Sequence, residues 1–297
     1  MALSDLQVTP KHLFRITDAV IYTKTIHGNS IAFTDFGFAN DGPAIVTFSG
    51  WNQDHRGWSN VTPYLMDTYR VISVCFRGHG PNRDPVGDFS FADHASDVLA
   101  VVDSLGVGQF VCLAASHGGW PALELAQAVG RQRCPAVIIL DLVMTEASPQ
   151  FLAGMKALQK PDTWQPTVRA LFKSWNNGTA SLNMREQMLI NAGGFGYETW
   201  ARAGRTIQEA YNKWGSPMKR MEALQDPPLI HHVYTQPPGS GDDYHKVHEQ
   251  FRQKHPDWFS FDHATGGIHV PHIEQPEKVD RITRDVITRT LAQDVAD

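Results

Sequence analysis

Four short runs of unbroken apolar and β-branched residues constrain this chain more than any other feature. They are Ala44–Phe48 (AIVTF), Arg70–Cys75 (RVISVC), Phe110–Ala114 (FVCLA) and Ala136–Leu140 (AVIIL). A strand with one wet face alternates apolar and polar residues, whereas runs without a polar face suit parallel strands buried on both sides. Between them, Trp58–Tyr69, Phe91–Leu105 and Trp120–Gly130 space their apolar residues as helices do. This alternation predicts a parallel sheet with helices on both faces. Ahead of it, Ile21–Thr25 and Ser30–Asp35 flank the turn-forming His27-Gly28-Asn29 and predict an antiparallel hairpin.

The pattern changes from about Glu146 to Asp226, where no strand-like run appears and Trp164, Trp175, Trp200 and Trp214 are scattered through helical stretches. Strand character returns at Leu229–Thr235 and Trp258–His263, and an amphipathic helix is expected over Lys278–Leu291. The chain of 297 residues is long enough for one large α/β domain with an insertion. The expected division is a core of residues 1–146 and 227–297 and a helical cap of residues 147–226, roofing the carboxyl ends of the strands where ligands of open α/β sheets bind.

A net charge of -5 gives no electrostatic reason to bind nucleic acid or an acidic membrane. No apolar run approaches the roughly 20 residues that span a bilayer. The opening MALSDLQVTPKHLF lacks a basic segment followed by an apolar one, so no secretory signal is expected. Cys75 and Cys112 sit inside apolar runs and read as reduced core residues. A cytoplasmic protein is the expectation.

The chemistry is carried by Phe110–Trp120, FVCLAASHGGW. A buried strand runs into Ser116 and a helix follows, a variant of the nucleophile elbow with Ala114 where a glycine is more usual. Small residues at Ala114, Gly118 and Gly119 permit the sharp turn, which exposes the serine hydroxyl and aims the His117 amide and the helix N-terminus at the site. The fold so indicated is the α/β-hydrolase fold, whose acid and base follow the serine in chain order. Asp141 closes the next strand, and a carboxylate there is costly without a partner. His269 lies in a Gly-Gly-Ile-His-Val-Pro loop after the last strand and supplies one. Asp242 and Asp243, after the seventh strand, stand at the more usual acid position of this fold and remain the alternative.

The loop at Phe48–Arg56 (FSGWNQDHR) is placed to give the second oxyanion-hole amide from Trp51, whose indole is also expected to wall the pocket. Arg77-Gly78-His79-Gly80 is given a structural role, its glycines permitting a tight turn. No metal-ligand set emerges from the histidine and cysteine spacings, and no Gly-x-Gly-x-x-Gly stands between a strand and a helix. Taken alone, these features suggest a serine hydrolase acting on esters or amides through Ser116.

From roughly Ile21 to Thr290 the chain resembles the cofactor-free 2,4-dioxygenases that cleave 3-hydroxy-4(1H)-quinolones. The resemblance is carried by Gly50-Trp51 with Asp54-His55-Arg56, Arg77–Gly80, Ser116-His117-Gly118-Gly119-Trp120, Phe172–Gly178 around Trp175, and Gly267–Pro271 around His269. In the cap, Gly196–Trp200, Gly204-Arg205 and Gly215–Met218 also match. The resemblance implies an aromatic quinolone substrate and molecular oxygen, and neither metal nor flavin. It implies that His269, oriented by Asp141, takes the proton of the 3-hydroxyl, that the Trp51 and His117 amides stabilise charge on the C4 oxygen, and that Ser116 hydrogen-bonds the substrate without being acylated. Trp175 matches a pocket residue of the family. The chain departs from the family at Gln53 and Ala115, where histidines are more usual. Both positions are expected to face the pocket, and the small Ala115 suggests room for a larger C2 substituent such as an alkyl chain. Two other readings stay open: the serine hydrolase, and a ligand-binding protein that keeps the triad.

Overall fold

The computed structural model describes residues 20–36, 42–81, 84–176, 181–182, 185–186, 194–235, 241–265 and 269–294. The N-terminal segment read for a secretory signal, and Gly267 and Ile268 beside His269, lie outside the described residues. Eight strands form one sheet: β1 (Val20–Ile26), β2 (Asn29–Phe36), β3 (Ala44–Phe48), β4 (Val71–Val74), β5 (Phe110–Ala115), β6 (Ala136–Leu140), β7 (Leu229–Tyr234) and β8 (Phe259–His263). Their spatial order is β1-β2-β4-β3-β5-β6-β7-β8. The β1–β2 hairpin pairs antiparallel, with Thr25 opposite Ser30, and every pair from β4 to β8 is parallel. The apolar runs therefore form the strands expected of them. β3, β4, β5 and β6 are buried along their whole length.

The helices are α1 (Thr62–Leu65), α2 (Phe91–Ser104), α3 (Gly119–Val129), α4 (Pro149–Leu158), α5 (Trp164–Asn176), α6 (Tyr197–Trp214), α7 (Pro217–Glu222), α8 (Gly241–Lys254), α9 (Pro271–Glu274) and α10 (Pro276–Asp294). α2 starts on a capping box in which Ser90 and Asp93 satisfy each other's backbone amides, so its N-terminal donors are paired locally. The expected helix over Trp58–Tyr69 does not form as one piece. Asp54 caps a 3-10 turn at His55–Trp58, accepting the Arg56 amide at 3.0 Å, and a short α1 follows with Pro63 in its first turn.

Helices α4, α5, α6 and α7 all fall between β6 and β7, and no strand interrupts them among the described residues. α6 crosses α4 closely at Gly204, where an added Cβ would lie 2.4 Å from the Met155 carbonyl oxygen, so only glycine fits there. Arg202 and Arg205 tie the same helix to the segment before α2: Arg202 donates to the Val86 carbonyl at 2.7 Å and Arg205 pairs with Asp88 at 2.6 Å. One core layer packs α2, α3 and this helical insertion on the sheet, and a second packs Trp58, Leu65 and α10 on its other side. No helix among the described residues is long and apolar enough to cross a membrane. The three cysteines are free thiols buried in the core.

Candidate active site

The carboxyl ends of β3, β5 and β6 and the loop before α9 converge on one line of three side chains. At the end of β5 the chain turns sharply, with Ser116 held at φ +49°, a left-handed conformation that β-carbon-bearing residues adopt at a cost. The turn is possible because of what stands behind it. An added Cβ at Gly118 would sit 2.5 Å from the Phe48 carbonyl oxygen and 2.6 Å from that of Ser49, so the elbow is pressed against the β3 loop. Asp141, first residue after β6, is also left-handed at φ +55°. Its amide donates to Val233 at 2.7 Å, and its Oδ1 accepts the Thr235 amide at 2.6 Å, so β7 fixes both its backbone and its carboxylate.

His269 completes the line. Its Nδ1 donates to Asp141 Oδ2 at 2.9 Å, and its Nε2 lies 3.0 Å from Ser116 Oγ. The Trp175 indole stacks on the imidazole at 5.2 Å between centroids and 21° between planes. Asp242 and Asp243 are elsewhere. They occupy the exposed first turn of α8, where Asp243 pairs with Lys246, and they do not meet His269. Of the two acid positions that the sequence allows, the fold brings only Asp141 to the histidine.

The three residues open on a cavity of about 680 Å³. Its floor is Ser116, His117, Asp141, His269 and the Gly50–Gln53 turn, and its walls come mainly from the helical insertion: Phe151, Met155 and Leu158 on α4, Leu171 and Trp175 on α5, and Trp200, Ala203 and Ile207 on α6. Such an apolar chamber with a few convergent polar groups is what a small-molecule site looks like. Burial and the neighbouring His269 push the His117 imidazole down to about 3, so its ring is neutral. Trp51 and His117 both border the cavity beside Ser116. Among the described residues, no group of three or more histidine, cysteine or carboxylate side chains is placed to hold a metal ion.

An α/β-hydrolase family model matches residues 45–282. The chain is 45% identical over 260 residues to the 2-heptyl-3-hydroxy-4(1H)-quinolone dioxygenase of Mycobacteroides abscessus, covering 88% of this chain and 95% of that protein. It is 30% identical over 262 residues to the 1H-3-hydroxy-4-oxoquinoline 2,4-dioxygenase of Pseudomonas putida, covering 88% and 97%. A solved structure of an AqdC variant with its substrate, from work on recognition and ring cleavage of the Pseudomonas quinolone signal, superimposes with a TM-score of 0.87 at 44% identity, covering 91% and 99%. The chain belongs to the 3-hydroxy-4-quinolone 2,4-dioxygenase family of the α/β-hydrolase fold.

The two positions read as departures from the family pattern, Gln53 and Ala115, have different fates. Gln53 lines the cavity as expected, its Oε1 buried 3.2 Å from where a Gly50 Cβ would stand. Ala115 does not. It is 2% exposed and packs with Leu113, Leu140 and Val233 in the core layer opposite the cavity. The reason is the period of a strand: Ala114 faces one layer, so Ala115, one residue on, faces the other. The extra room inferred from Ala115 is therefore not room in the cavity. Trp51 lines the cavity as expected and is anchored in the core as well: its indole stacks on Phe89 at 5.5 Å, packs on Phe76 at 4.8 Å and donates to the Thr199 carbonyl at 3.3 Å. Arg77–Gly80 is structural, as read: Arg77 pairs with buried Asp97 at 2.6 Å, and Gly78 and Gly80 are left-handed. Missed by the sequence were Asn52, Tyr234 and Tyr244, which also line the cavity. Asn52 stands in the Phe48–Arg56 loop without having been singled out there, whereas no motif marks the tyrosines, which only the tertiary arrangement of α8 and β7 brings to the cavity.

Proposed function

We propose that this protein opens the heterocycle of 2-alkyl-3-hydroxy-4(1H)-quinolones with molecular oxygen, releasing carbon monoxide and an N-acylanthranilate. The observation that carries this reading is the 45% identity, over nearly all of both chains, to a dioxygenase of the 2-heptyl compound. The shape of the cavity supports the alkyl substituent. A polar floor suits the hydroxyquinolone head, and the apolar walls from α4, α5 and α6 suit a chain of several methylenes.

In this reading His269 Nε2 takes the proton of the 3-hydroxyl, and Asp141 keeps the imidazole in the tautomer that leaves Nε2 free to do so. The quinolone anion is rich enough in electrons to reduce oxygen directly. Oxygen bonds to C2 as a peroxide, whose outer oxygen attacks the C4 carbonyl carbon. In the resulting bicycle the O–O, C2–C3 and C3–C4 bonds break and C3 leaves with its own oxygen as carbon monoxide; one atom of the dioxygen stays on C2, which becomes the amide carbonyl, and the other on C4, which becomes the carboxylate. The Trp51 and His117 amides hold the negative charge that grows on the C4 oxygen, a preorganised pair of donors that needs no reorganisation during the step. Ser116 Oγ hydrogen-bonds the substrate, Gln53 supplies a further polar group at the head, and Trp175 flanks the ring. Residues 147–226 serve as the cap that closes this chamber over the core.

Aerobic incubation with 3-hydroxy-4-quinolones bearing C2 chains of one to nine carbons tests the proposal in metal-free buffer. Equimolar oxygen uptake, carbon monoxide and acylanthranilate are expected, with the longer chains preferred. Absence of carbon monoxide from every member, with burst hydrolysis of an activated ester, would instead establish the serine hydrolase.

A further inference from the structure

Beyond Leu140 the chain leaves the sheet at the point where it carries the carboxylate. The next three residues, Leu142–Met144, join no helix or strand, so their buried backbone groups need partners elsewhere. Two tyrosines supply partners for three of them. The Tyr244 hydroxyl, on α8, donates to the Leu142 carbonyl at 3.2 Å and accepts the Met144 amide at 3.1 Å. The Tyr211 hydroxyl, on α6, donates to the Val143 carbonyl at 2.9 Å. The Met144 carbonyl accepts the Met218 amide of α7 at 3.2 Å. Both rings are 4–5% exposed, and burial raises both phenols far above the ordinary tyrosine range, so each stays protonated and able to donate.

The place of Tyr211 on its helix matters. Trp200, Ala203 and Ile207 line the cavity, and Tyr211 follows Ile207 by four residues. At helical spacing all four share one face. The face of α6 that meets a ligand is thus continuous with the hydroxyl that holds the segment behind Asp141.

We infer that Tyr211 and Tyr244 are positioning residues, whose hydroxyls clamp Leu142–Met144 so that the strained Asp141 carboxylate keeps its aim on His269. Tyr211 also ties the seating of α6 over the ligand to that aim. The inference rests on the proposed role of His269 as base.

Tyr211→Phe, Tyr244→Phe and the double variant keep both rings and remove only the clamp. Tyr64→Phe, which removes an exposed hydroxyl bonded to Glu277, serves as control. Turnover of the 2-heptyl quinolone is expected to fall about tenfold in each single variant with KM within about twofold, the signature of a lost positioning interaction. The double variant is expected to lose less than the product of the two, because both hydroxyls act on one segment. In protein carrying 15N in its histidine rings, the His269 signals should move from a single Nδ1–H tautomer toward a mixture in both variants and stay put in the control. Lower melting temperatures with unchanged kcat and unchanged His269 signals would overturn the inference and leave the tyrosines as packing. Should the wild type cleave no quinolone while the ring signals still respond to the two substitutions, the proposed reaction fails and the clamp stands.

Discussion

Asp141→Asn is the substitution on which the geometry speaks most sharply. The carboxylate now accepts two hydrogen bonds, from His269 Nδ1 at 2.9 Å and from the Thr235 amide at 2.6 Å. The Thr235 donor is backbone at the end of β7 and cannot turn away, so the asparagine must give it the carboxamide oxygen. That leaves the NH2 group facing His269 Nδ1. The imidazole then answers by accepting at Nδ1 and carrying its proton on Nε2, the nitrogen that must be free to receive one. Restoring the productive tautomer sets two donors against each other and forfeits a hydrogen bond. With a bond to a charged group contributing about 1.5–3 kcal/mol and its replacement by an opposed pair adding a similar amount, the penalty is about 3–6 kcal/mol. That corresponds to a loss of roughly 10²–10⁴ in kcat, in line with the effect of the same change in serine-protease triads. Because the substitution is isosteric and the Thr235 bond is kept, the melting temperature should move by only a few degrees. Oxygen-electrode rates with the 2-heptyl quinolone, read beside a thermal scan, check both halves. Turnover within tenfold of wild type in a folded Asp141→Asn protein would refute the assigned hydrogen-bond roles.

The depth of the chamber should be set by α6. Ala203, 1% exposed and facing the cavity, replaced by Phe puts about 100 Å³ of ring into it, so KM should rise at least tenfold for a 2-heptyl quinolone and much less for the 2-methyl compound; equal effects on both would place the chain elsewhere. Acid should unfold the protein with proton uptake. His272 and His248 are fully buried, and burial holds them down to about 3 and about 4, so the native state keeps them neutral while the unfolded chain binds protons at the ordinary histidine value near 6.5. Their stabilising contribution is complete above about pH 6.5 and is lost as pH falls toward 4. Each such proton corresponds to a slope of about 1.4 kcal/mol per pH unit near pH 5, so these two give about 3, and His117, held down by burial in the same way, brings the sum to about 4; urea unfolding from pH 7 to 5 measures it, and a flat profile would contradict their burial as neutral groups.

Much of this site is legible in the sequence, and for physical reasons. Strands buried on both faces must be apolar throughout, so β3, β5 and β6 announce themselves, and a strained serine between small residues has few structural uses. Asp141 could be weighed against Asp242 and Asp243 because a carboxylate ending a buried strand demands a partner; that Asp242 and Asp243 stand on the exposed side of the first turn of a helix is invisible without α8. What stayed hidden depends on facing. Ala115 looked like a cavity residue because it precedes Ser116, yet the two-residue period of β5 turns it into the opposite core layer. Tyr211 and Tyr244 lie 70 and 103 residues beyond Asp141 in the chain, and nothing local marks their hydroxyls as partners of the segment after it. In place of the helix expected over Trp58–Tyr69 stand a 3-10 turn capped by Asp54, itself buried against Arg56, and the separate short α1 with Pro63 in its first turn.

The central claim is that His269, and not Ser116, does the chemistry, as a base. Anaerobic binding of a 2-alkyl-3-hydroxy-4-quinolone isolates that step, since without oxygen the reaction stops at the deprotonated substrate. The quinolone absorption band should shift to longer wavelength on binding the wild-type protein and Ser116→Ala, and keep the spectrum of the neutral compound on binding His269→Ala. A shift that persists in His269→Ala, or one that disappears in Ser116→Ala alone, would contradict the account.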